Sequence, residues 1–261
     1  MDLLHEIGID VDAAKRKFLS QAANFPIEVL YLRDDDIPQV VANGTASLGI
    51  VGLNEVAERG CDVEVVKKLG FGGCRISLAV PKGVQYDGVE YFQGKRIATS
   101  YPNILRRFLA EHSVEAEMEV ITGSVEIAPA AGIADAIFDI VSSGGTLVTN
   151  GLKEVERVFE SEAVLIANRS LSAEDRELLD ELLFRIESES VSRGKKYLLM
   201  NIPTASLDEA VKILPAMRSP TVMPLAVEGW CSLHSVVDSA DLWDKARQLK
   251  AIGAEGILVL T

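Results

Sequence analysis

The chain is poor in the residues that build covalently or metal-held scaffolds. Of its 261 residues three are cysteines, Cys61, Cys74 and Cys231, and three are histidines, His5, His112 and His234. The cysteines are odd in number, widely separated and form no C-x-x-C pair, which argues against a disulfide framework and a zinc knuckle; buried reduced thiols are expected. So few histidines argue against a His-rich metal site. No apolar run reaches the roughly 18 residues that a membrane-spanning helix needs, and no basic segment followed by an apolar one opens the chain. Neither secretion nor membrane spanning is indicated, and a cytoplasmic protein is expected. Positive charge is also short: 26 Lys and Arg stand against 39 Asp and Glu, a formal net charge of −13. That balance disfavours broad nucleic-acid binding, which needs a positive face. One anionic small molecule can still bind in a locally basic pocket, and divalent cations would help it do so.

Core material, by contrast, is ample. Apolar residues make up 48% of the chain and charged ones 25%, normal for a globular protein of two domains, or of one domain with an appendage. The N-terminal part alternates short apolar runs with helical segments. FPIEVLYL reads as a strand, and DDDIPQVVANG as a helix with Asp36 at its N-cap, Pro38 in its first turn and Gly44 at its exit. SLGIVG, VEVVKKL and RISLAVP read as strands, and LNEVAERG as a short helix closed by Gly60. This alternation predicts a mostly parallel sheet covered on both faces. A second unit starts after Pro81-Lys82-Gly83, with strands in KRIATS, MEVIT and ADAIFDIV and helices in YPNILRRFLAEHS and GTLVTNGL. VERVFESEAVLIAN supplies strands that lead back to the first unit. The expected division is therefore one lobe from 1–83 and 163–192, and a second from 84–162. Two lobes joined by two crossings would enclose a cleft.

LSAEDRELLDELLFRIESESVSRG is the clearest helix, with Ser172 and Asp175 as a capping-box pattern; a packing helix with a solvated acidic face accounts for it. From 193–261 the pattern changes. KKYLLMNIP is a strand, SLDEAVKILPAM a helix capped by Ser206 and Glu209, and TVMPLAV with CSLHSVVD a hairpin across Glu228-Gly229-Trp230. DLWDKARQLKAIGA is a helix and GILVLT a closing strand. The order βαββαβ is that of a ferredoxin-like module, which binds effectors or mediates assembly in different proteins.

Four stretches could carry chemistry. In DIVSSGGT an apolar strand runs into Ser142, Ser143, Gly144, Gly145 and Thr146 at the start of a helix, offering backbone N–H groups and hydroxyls to a phosphate. Asp135 and Asp139 precede it, with Glu126 upstream, placed to accept hydrogen bonds from sugar hydroxyls or to hold a magnesium ion through water. A Gly-rich turn with solvated acids is the plain alternative, and the acids favour the phosphate reading. KRIATSYPNILRR is a basic island, Lys95, Arg96, Arg106 and Arg107, with Thr99, Ser100 and Tyr101 at a strand-to-helix junction. Arg106 and Arg107 suit a solvated helix face. In LYLRDDDIP, Arg33 precedes three aspartates, and in GFGGCRISLAVP, Arg75 follows three glycines. A salt-bridged structural arginine is open for Arg75.

RDDDIP, SLGIVG, FGGCRISLA, GKRIATSYP, GSVEIAPAAGIADAIFDIVSSGGTLVTNGL and SPTVMPLA, in this order across nearly the whole chain, resemble the long form of the ATP phosphoribosyltransferases. The resemblance implies two α/β lobes like those of periplasmic-type binding proteins, plus a ferredoxin-like regulatory domain. It implies the first reaction of histidine biosynthesis, ATP + phosphoribosyl pyrophosphate → N1-phosphoribosyl-ATP + pyrophosphate, with Mg²⁺. The loop from Asp139 to Thr146 would grip the 5-phosphate, and Glu126 and Asp135 would sit near the ribose. Magnesium would be held mainly by substrate phosphates, with those two acids beside it. Arg33, Leu48, Gly49, Arg75, Arg96 and Thr99 to Tyr101 would surround the nucleotide and pyrophosphate. Histidine, as feedback inhibitor, would bind near Asn201, Met217, Thr221 and Gly256, with Asn201 standing where relatives often carry an acid. AMP as a further ligand and a dimer–hexamer homo-oligomer are also implied.

Such a reaction is a substitution at the anomeric carbon through an oxocarbenium-like transition state, by analogy with glycoside cleavage. It needs no covalent nucleophile, in keeping with a sequence that shows no Ser-His or Cys-His arrangement. Relatives usually begin with a strand and a Lys-Gly-Arg-Leu-like segment lining the site, whereas this chain starts at MDLLHEIGID. If that segment is absent from the protein, a sheet one strand short and a pocket with fewer basic groups are expected. Ser47 stands where an acid often precedes Leu-Gly-Ile. The rival readings are a two-lobed protein that only binds a small anion, and a regulatory-only chain.

Overall fold

The structure is a computed structural model that describes residues 2–11, 18–214 and 219–260. It forms two compact units: Met1–Ala13, Gln21–Glu28 and Leu178–Thr261 make one, and Ala14–Ser20 with Val29–Glu177 the other. The chain opens with a short helix, α1 (Asp2–Glu6), and a two-stranded sheet of β1 (Leu19–Gln21) and β2 (Glu28–Leu30). Only three residues of FPIEVLYL are in the strand. Among the described residues no helix is long and apolar enough to cross a membrane.

The larger unit contains two sheets. In the first, β3 (Leu48–Gly52) and β4 (Val63–Lys68) flank β10 (Ala163–Asn168), and both pairings are antiparallel. Helix α2 (Ile37–Ala42) covers this sheet, and α3 (Leu53–Arg59) follows β3 directly. Val41, Val51, Val63, Val164 and Ile166 form its buried core. Gly49 is a glycine for packing: a Cβ there would lie 2.8 Å from Ile37 and 2.9 Å from Val41 on α2. Gly60 ends α3 in the left-handed conformation at φ 61°, as its position in the sequence predicts.

The second sheet has the order β7-β6-β8-β5-β9. Its strands are β5 (Cys74–Pro81), β6 (Arg96–Thr99), β7 (Glu117–Val120), β8 (Ala136–Val141) and β9 (Leu152–Ser161), with α4 (Pro102–Glu111) between β6 and β7 and α5 (Gly145–Thr149) after β8. Strand β6 is parallel to β7 and β8, while β5 is antiparallel to β8 and β9. The mostly parallel sheet expected of the N-terminal part is thus corrected: β3 and β4 pair only antiparallel, with β10, and β5 joins a sheet of three parallel strands and an antiparallel pair. Parallel neighbours need a long crossover, and only the β6–α4–β7 stretch and the β7-to-β8 connection, which carries the one-turn helix Val125–Ile127, supply one. Strand β5, which the division after Gly83 leaves in the first lobe, lies inside this second sheet because it is buried on both faces. Ile76, Leu78 and Val80 join the cluster under α4 with Phe92, Leu105 and Phe138, whereas Ala79 joins Ala98, Ile137, Val141 and Leu147 on the other face. The crossings between sheets therefore fall at 69–73 and at Glu162.

Helix α6 (Ala173–Ser192) begins as expected, with the Asp175 N–H donating to Ser172 Oγ at 3.0 Å. The smaller unit contains β11 (Lys195–Pro203), α7 (Leu207–Ile213), β12 (Thr221–Pro224), β13 (Trp230–Asp238), α8 (Leu242–Ala251) and β14 (Glu255–Leu260). Its sheet order, β12-β13-β11-β14, is that of the ferredoxin-like module. Leu198, Met200, Ile202, Leu233 and Val237 pack on Ala210, Leu242 and Leu249 of the two helices. The capping box of Ser206 and Glu209 does not form. A one-turn 3-10 helix, Thr204–Ser206, leaves Ser206 at φ −95°, ψ 2° rather than in the extended conformation an N-cap needs. Asp36 likewise caps without a side-chain hydrogen bond. All three cysteines are free; Cys231 is buried and the other two half-buried.

Candidate active site

The two parallel strands β6 and β8 end side by side, and the polar groups of the larger unit gather at that end. Strand β6 continues into Ser100 and Tyr101 before α4; β8 continues into Ser142, Ser143 and Gly144 before α5. Ser142, Ser143, Gly145 and Thr146 are exposed, while Leu147 beneath them is buried. Gly144 has φ 79°, a left-handed conformation that a side chain strains. No side chain caps α5, and the Gly145 N–H only reaches Ser143 Oγ at 3.4 Å. The loop thus carries amides without a side-chain cap on exposed residues.

Asp139 stands two residues before the strand ends. Ser100 Oγ donates to its Oδ1 at 2.9 Å. Burial pushes its carboxyl above the usual aspartate range, opposed by the backbone N–H of Ile140 and by Ser100, and the negative charge of Glu126 raises it further. Glu126 lies in the one-turn helix Val125–Ile127. Two carboxylates therefore share this end of the sheet with the loop.

Arg75, at the start of β5, joins the same place. Its Nε and Nη2 donate to Glu154 Oε1 and Oε2, each at 2.6 Å, and its Nη1 donates to the carbonyl of Ser142 at 2.9 Å. Ser77 Oγ and Arg157 Nε also donate to Glu154 Oε1, at 2.8 and 3.2 Å. These donors hold the Glu154 carboxyl down at about 2, with the Arg75 hydrogen bonds contributing most. A cleft of ≈ 480 Å³ opens here, lined by Arg75 and Ser142, by Lys68 and Phe71, and by Arg157 and Glu162.

The remaining residues singled out in the sequence lie elsewhere. Asp135 and Arg96 precede β8 and β6, at the opposite end of these strands, a strand length of about 20 Å from the loop. There the Arg96 N–H donates to Asp135 Oδ2 at 2.9 Å, and its side chain approaches the same oxygen at 3.9 Å. The structure thus sets Asp135 apart from the loop: four residues along a strand keep a side chain on one face but move it far along the sheet. Leu48 and Gly49 lie at the far end of β3 from Ser161, with Gly49 facing α2. The Arg33 side chain is 82% exposed and pairs with Asp35 at 3.4 Å. Thr99 is buried and accepts from the Tyr101 N–H at 2.8 Å.

Tyr101 is also buried, in the cluster under α4. Its hydroxyl donates to Glu55 Oε1 at 3.0 Å and accepts from Asn54 Nδ2 at 3.1 Å. Asn54 in turn exchanges hydrogen bonds with Ser161. Glu58 accepts from the N–H groups of Asn103 and Ile104, which caps the first turn of α4. Helix α3 thus meets α4 through buried polar groups, with Glu55 pushed up by burial. Sequence reasoning treated LNEVAERG as a plain short helix and began the strand at Val155, which left out Glu154. Its signal was the alternation Leu152, Glu154, Glu156 entering the following strand.

In the smaller unit, Asn201, Thr221 and Gly256 share the sheet face not covered by helices. Asn201 pairs with Ser232 and Thr221 with His234, and a Cβ on Gly256 would lie 3.9 Å from Asn201 Nδ2. His234 lies among them, bonded to Tyr197 and Ser232. Met217 lies outside the described residues.

A family model described as ATP phosphoribosyltransferase matches residues 33–188, and one described as HisG, C-terminal domain, matches residues 192–261. The chain is 58% identical over 260 residues to an ATP phosphoribosyltransferase of Bacteroides fragilis and 59% identical to one of Phocaeicola vulgatus; each alignment covers 100% of this chain and 92% of the relative. Among solved structures, the ATP phosphoribosyl transferase (HisG:HisZ) complex from Thermotoga maritima matches with a TM-score of 0.63 and 26% identity, over 72% of this chain and 90% of that one. With both models matched in chain order and such identity along its whole length, the protein belongs to the ATP phosphoribosyltransferase family.

Proposed function

We infer that the chain transfers the 5-phosphoribosyl group from phosphoribosyl pyrophosphate to N1 of ATP, releasing pyrophosphate, the first step of histidine biosynthesis. The observation that carries this is the convergence of Asp139, Glu126 and the open loop from Ser142 to Thr146 at one end of the five-stranded sheet. The loop amides receive the 5-phosphate. Asp139 and Glu126 accept hydrogen bonds from the ribose hydroxyls and face the positive charge that develops at the anomeric carbon as the bond to pyrophosphate breaks. The adenine N1 lone pair forms the new bond, and the electron pair of the broken one leaves with pyrophosphate. The cleft beside Arg75 and Ser142 takes the nucleotide, with Lys68 and Arg157 supplying positive charge. Positioning and charge stabilisation supply the catalysis.

The family implies a divalent metal, and magnesium suits the phosphates. Among the described residues no group of three or more His, Cys, Asp or Glu side chains is placed to hold a metal ion. The fit is to an ion carried mainly on substrate phosphates, with Asp139 and Glu126 as the carboxylates nearest the loop. Such an ion would neutralise charge on the departing pyrophosphate.

Histidine, as feedback inhibitor, binds the open face of the smaller sheet at Asn201, Thr221 and Gly256. AMP competes at the nucleotide site, and the chain assembles as a dimer–hexamer system. Incubation with ATP, phosphoribosyl pyrophosphate and Mg²⁺, with and without histidine, tests these statements. Absence of phosphoribosyl-ATP would sink the enzyme and leave a small-anion binding protein. Product formation indifferent to histidine would sink only the regulatory assignment.

A further inference from the structure

We propose that Glu154 is a positioning residue for the phosphate loop, acting through Arg75 to set the direction of the loop's backbone amides. The proposal rests on the phosphoribosyl-transfer reading and deepens it. Glu154 is on β9 and the loop follows β8; β5 separates the two strands, so no direct contact is available. Arg75 bridges the gap. Its planar guanidinium is gripped along the Nε–Nη2 edge by both oxygens of Glu154, while Nη1 holds the Ser142 carbonyl. A bidentate pair of this kind fixes orientation as well as distance, so the guanidinium plane cannot turn without breaking two charge-assisted bonds. Both side chains are only 21% exposed, which limits competition from water. Ser77 and Arg157 hold the carboxylate in turn.

The consequence for the loop follows from peptide geometry. In a planar trans peptide the C=O and the following N–H point in opposite directions. With the Ser142 carbonyl tied back to Arg75, the Ser143 N–H must point away from it. Gly144, in its left-handed conformation, then turns the next amide toward α5. Little else restrains this turn, because α5 has no side-chain cap and the Gly145 to Ser143 bond is long. Glu154 thus stands behind the phosphate site and touches no substrate. Four donor groups from three residues converge on it, two of them from Arg75, which the family resemblance would send straight to the nucleotide.

Steady-state kinetics of Glu154→Gln, Glu154→Asp, Arg75→Gln and the double variant Glu154→Gln/Arg75→Gln test the idea, alongside thermal melting. The expected result for Glu154→Gln is a KM for phosphoribosyl pyrophosphate raised by roughly tenfold or more, the scale of a lost charge-assisted pair. The KM for ATP should rise by a smaller factor, because Arg75 and Arg157 stay beside the nucleotide cleft while the loop amides lose their direction. Glu154→Asp should recover part of the loss, and the double variant should be no worse than the poorer single one, since both act through one contact. An unchanged KM for phosphoribosyl pyrophosphate in Glu154→Gln overturns the proposal. So does an equal rise of both KM values with a lowered melting midpoint, or additive effects in the double variant. If Glu154→Gln does not fold, the same selective rise in Glu154→Asp decides the matter. A wild-type chain that makes no product fails the reaction itself; a working wild type with an unmoved KM in the variants fails only the positioning role.

Discussion

Asp135 and Asp139 stand four residues apart on one strand, with side chains on the same face, yet they occupy different chemical worlds. Asp135, at the entry to β8, is part-exposed and paired with Arg96. Asp139, near the exit and also half-buried, has its carboxyl pushed up by burial, stands near Glu126 and accepts from a serine hydroxyl. The first arrangement satisfies a charge; the second leaves one unsatisfied beside an open loop. The proposed function thus falls to one end of the strand and a plain ion pair to the other. A stored electrostatic cost at the exit is what a substrate or cation can relieve.

The sharpest way to break this comparison is Asp139→Asn. Phosphoribosyl-ATP formation should fall by about 10² or more, typical for removal of a group that stabilises transition-state charge. The melting midpoint should not fall with it. Because the folded-state pKa of Asp139 is raised, the native state holds its proton more tightly than the unfolded chain. The stability that this confers is present at low pH and lost as pH rises through the folded pKa. At neutral pH the aspartate therefore costs stability, and the asparagine should melt at or above wild type in a scan at pH 7. A lower midpoint with intact activity would assign Asp139 to the Asp135 class.

Tyr101→Phe gives a smaller effect of the opposite kind. It removes the hydroxyl shared by Glu55 and Asn54 and leaves a buried carboxylate with a lost donor, at a cost of about 1–3 kcal/mol. Chemical denaturation with a linear extrapolation would measure it, and a change below ~0.5 kcal/mol would mean that water replaces the hydroxyl. Least of all should follow from Asp135→Asn. An asparagine oxygen can still accept from the Arg96 N–H, and a part-exposed ion pair contributes at most about 1 kcal/mol. Turnover within roughly threefold of wild type is expected. A loss of activity comparable to Asp139→Asn would show that both ends of the strand act on substrate.

Much of this was legible in the order of residues. DIVSSGGT announced a strand that runs into a turn with exposed amides, and the turn forms there with Gly144 in the conformation that only glycine adopts freely. The βαββαβ order of the last domain and the Gly60 and Ser172 caps were readable for the same reason: each depends on neighbours within a few residues. What escaped was anything set by register or by packing between lobes. The spacing of Asp135 and Asp139 could not say that six residues of extended chain separate one of them from the loop. LNEVAERG read only as a short helix closed by Gly60, and nothing local showed that Asn54, Glu55 and Glu58 are buried against Tyr101, Ser161 and the first turn of α4.

Arg75 marks the boundary between the two kinds of information. Periodicity and glycine placement are local properties, so they suffice for most of the elements, their order and the turn at 142–146, while the family was carried by the resemblance of whole motifs. The partner of Arg75 is 79 residues away, on a strand that becomes its neighbour only because β5 enters the second sheet between β8 and β9. Which carboxylate holds an arginine, which aspartate is left without a cation and which tyrosine ties two helices together depend on distances between strands. Those distances exist only once the sheet has closed.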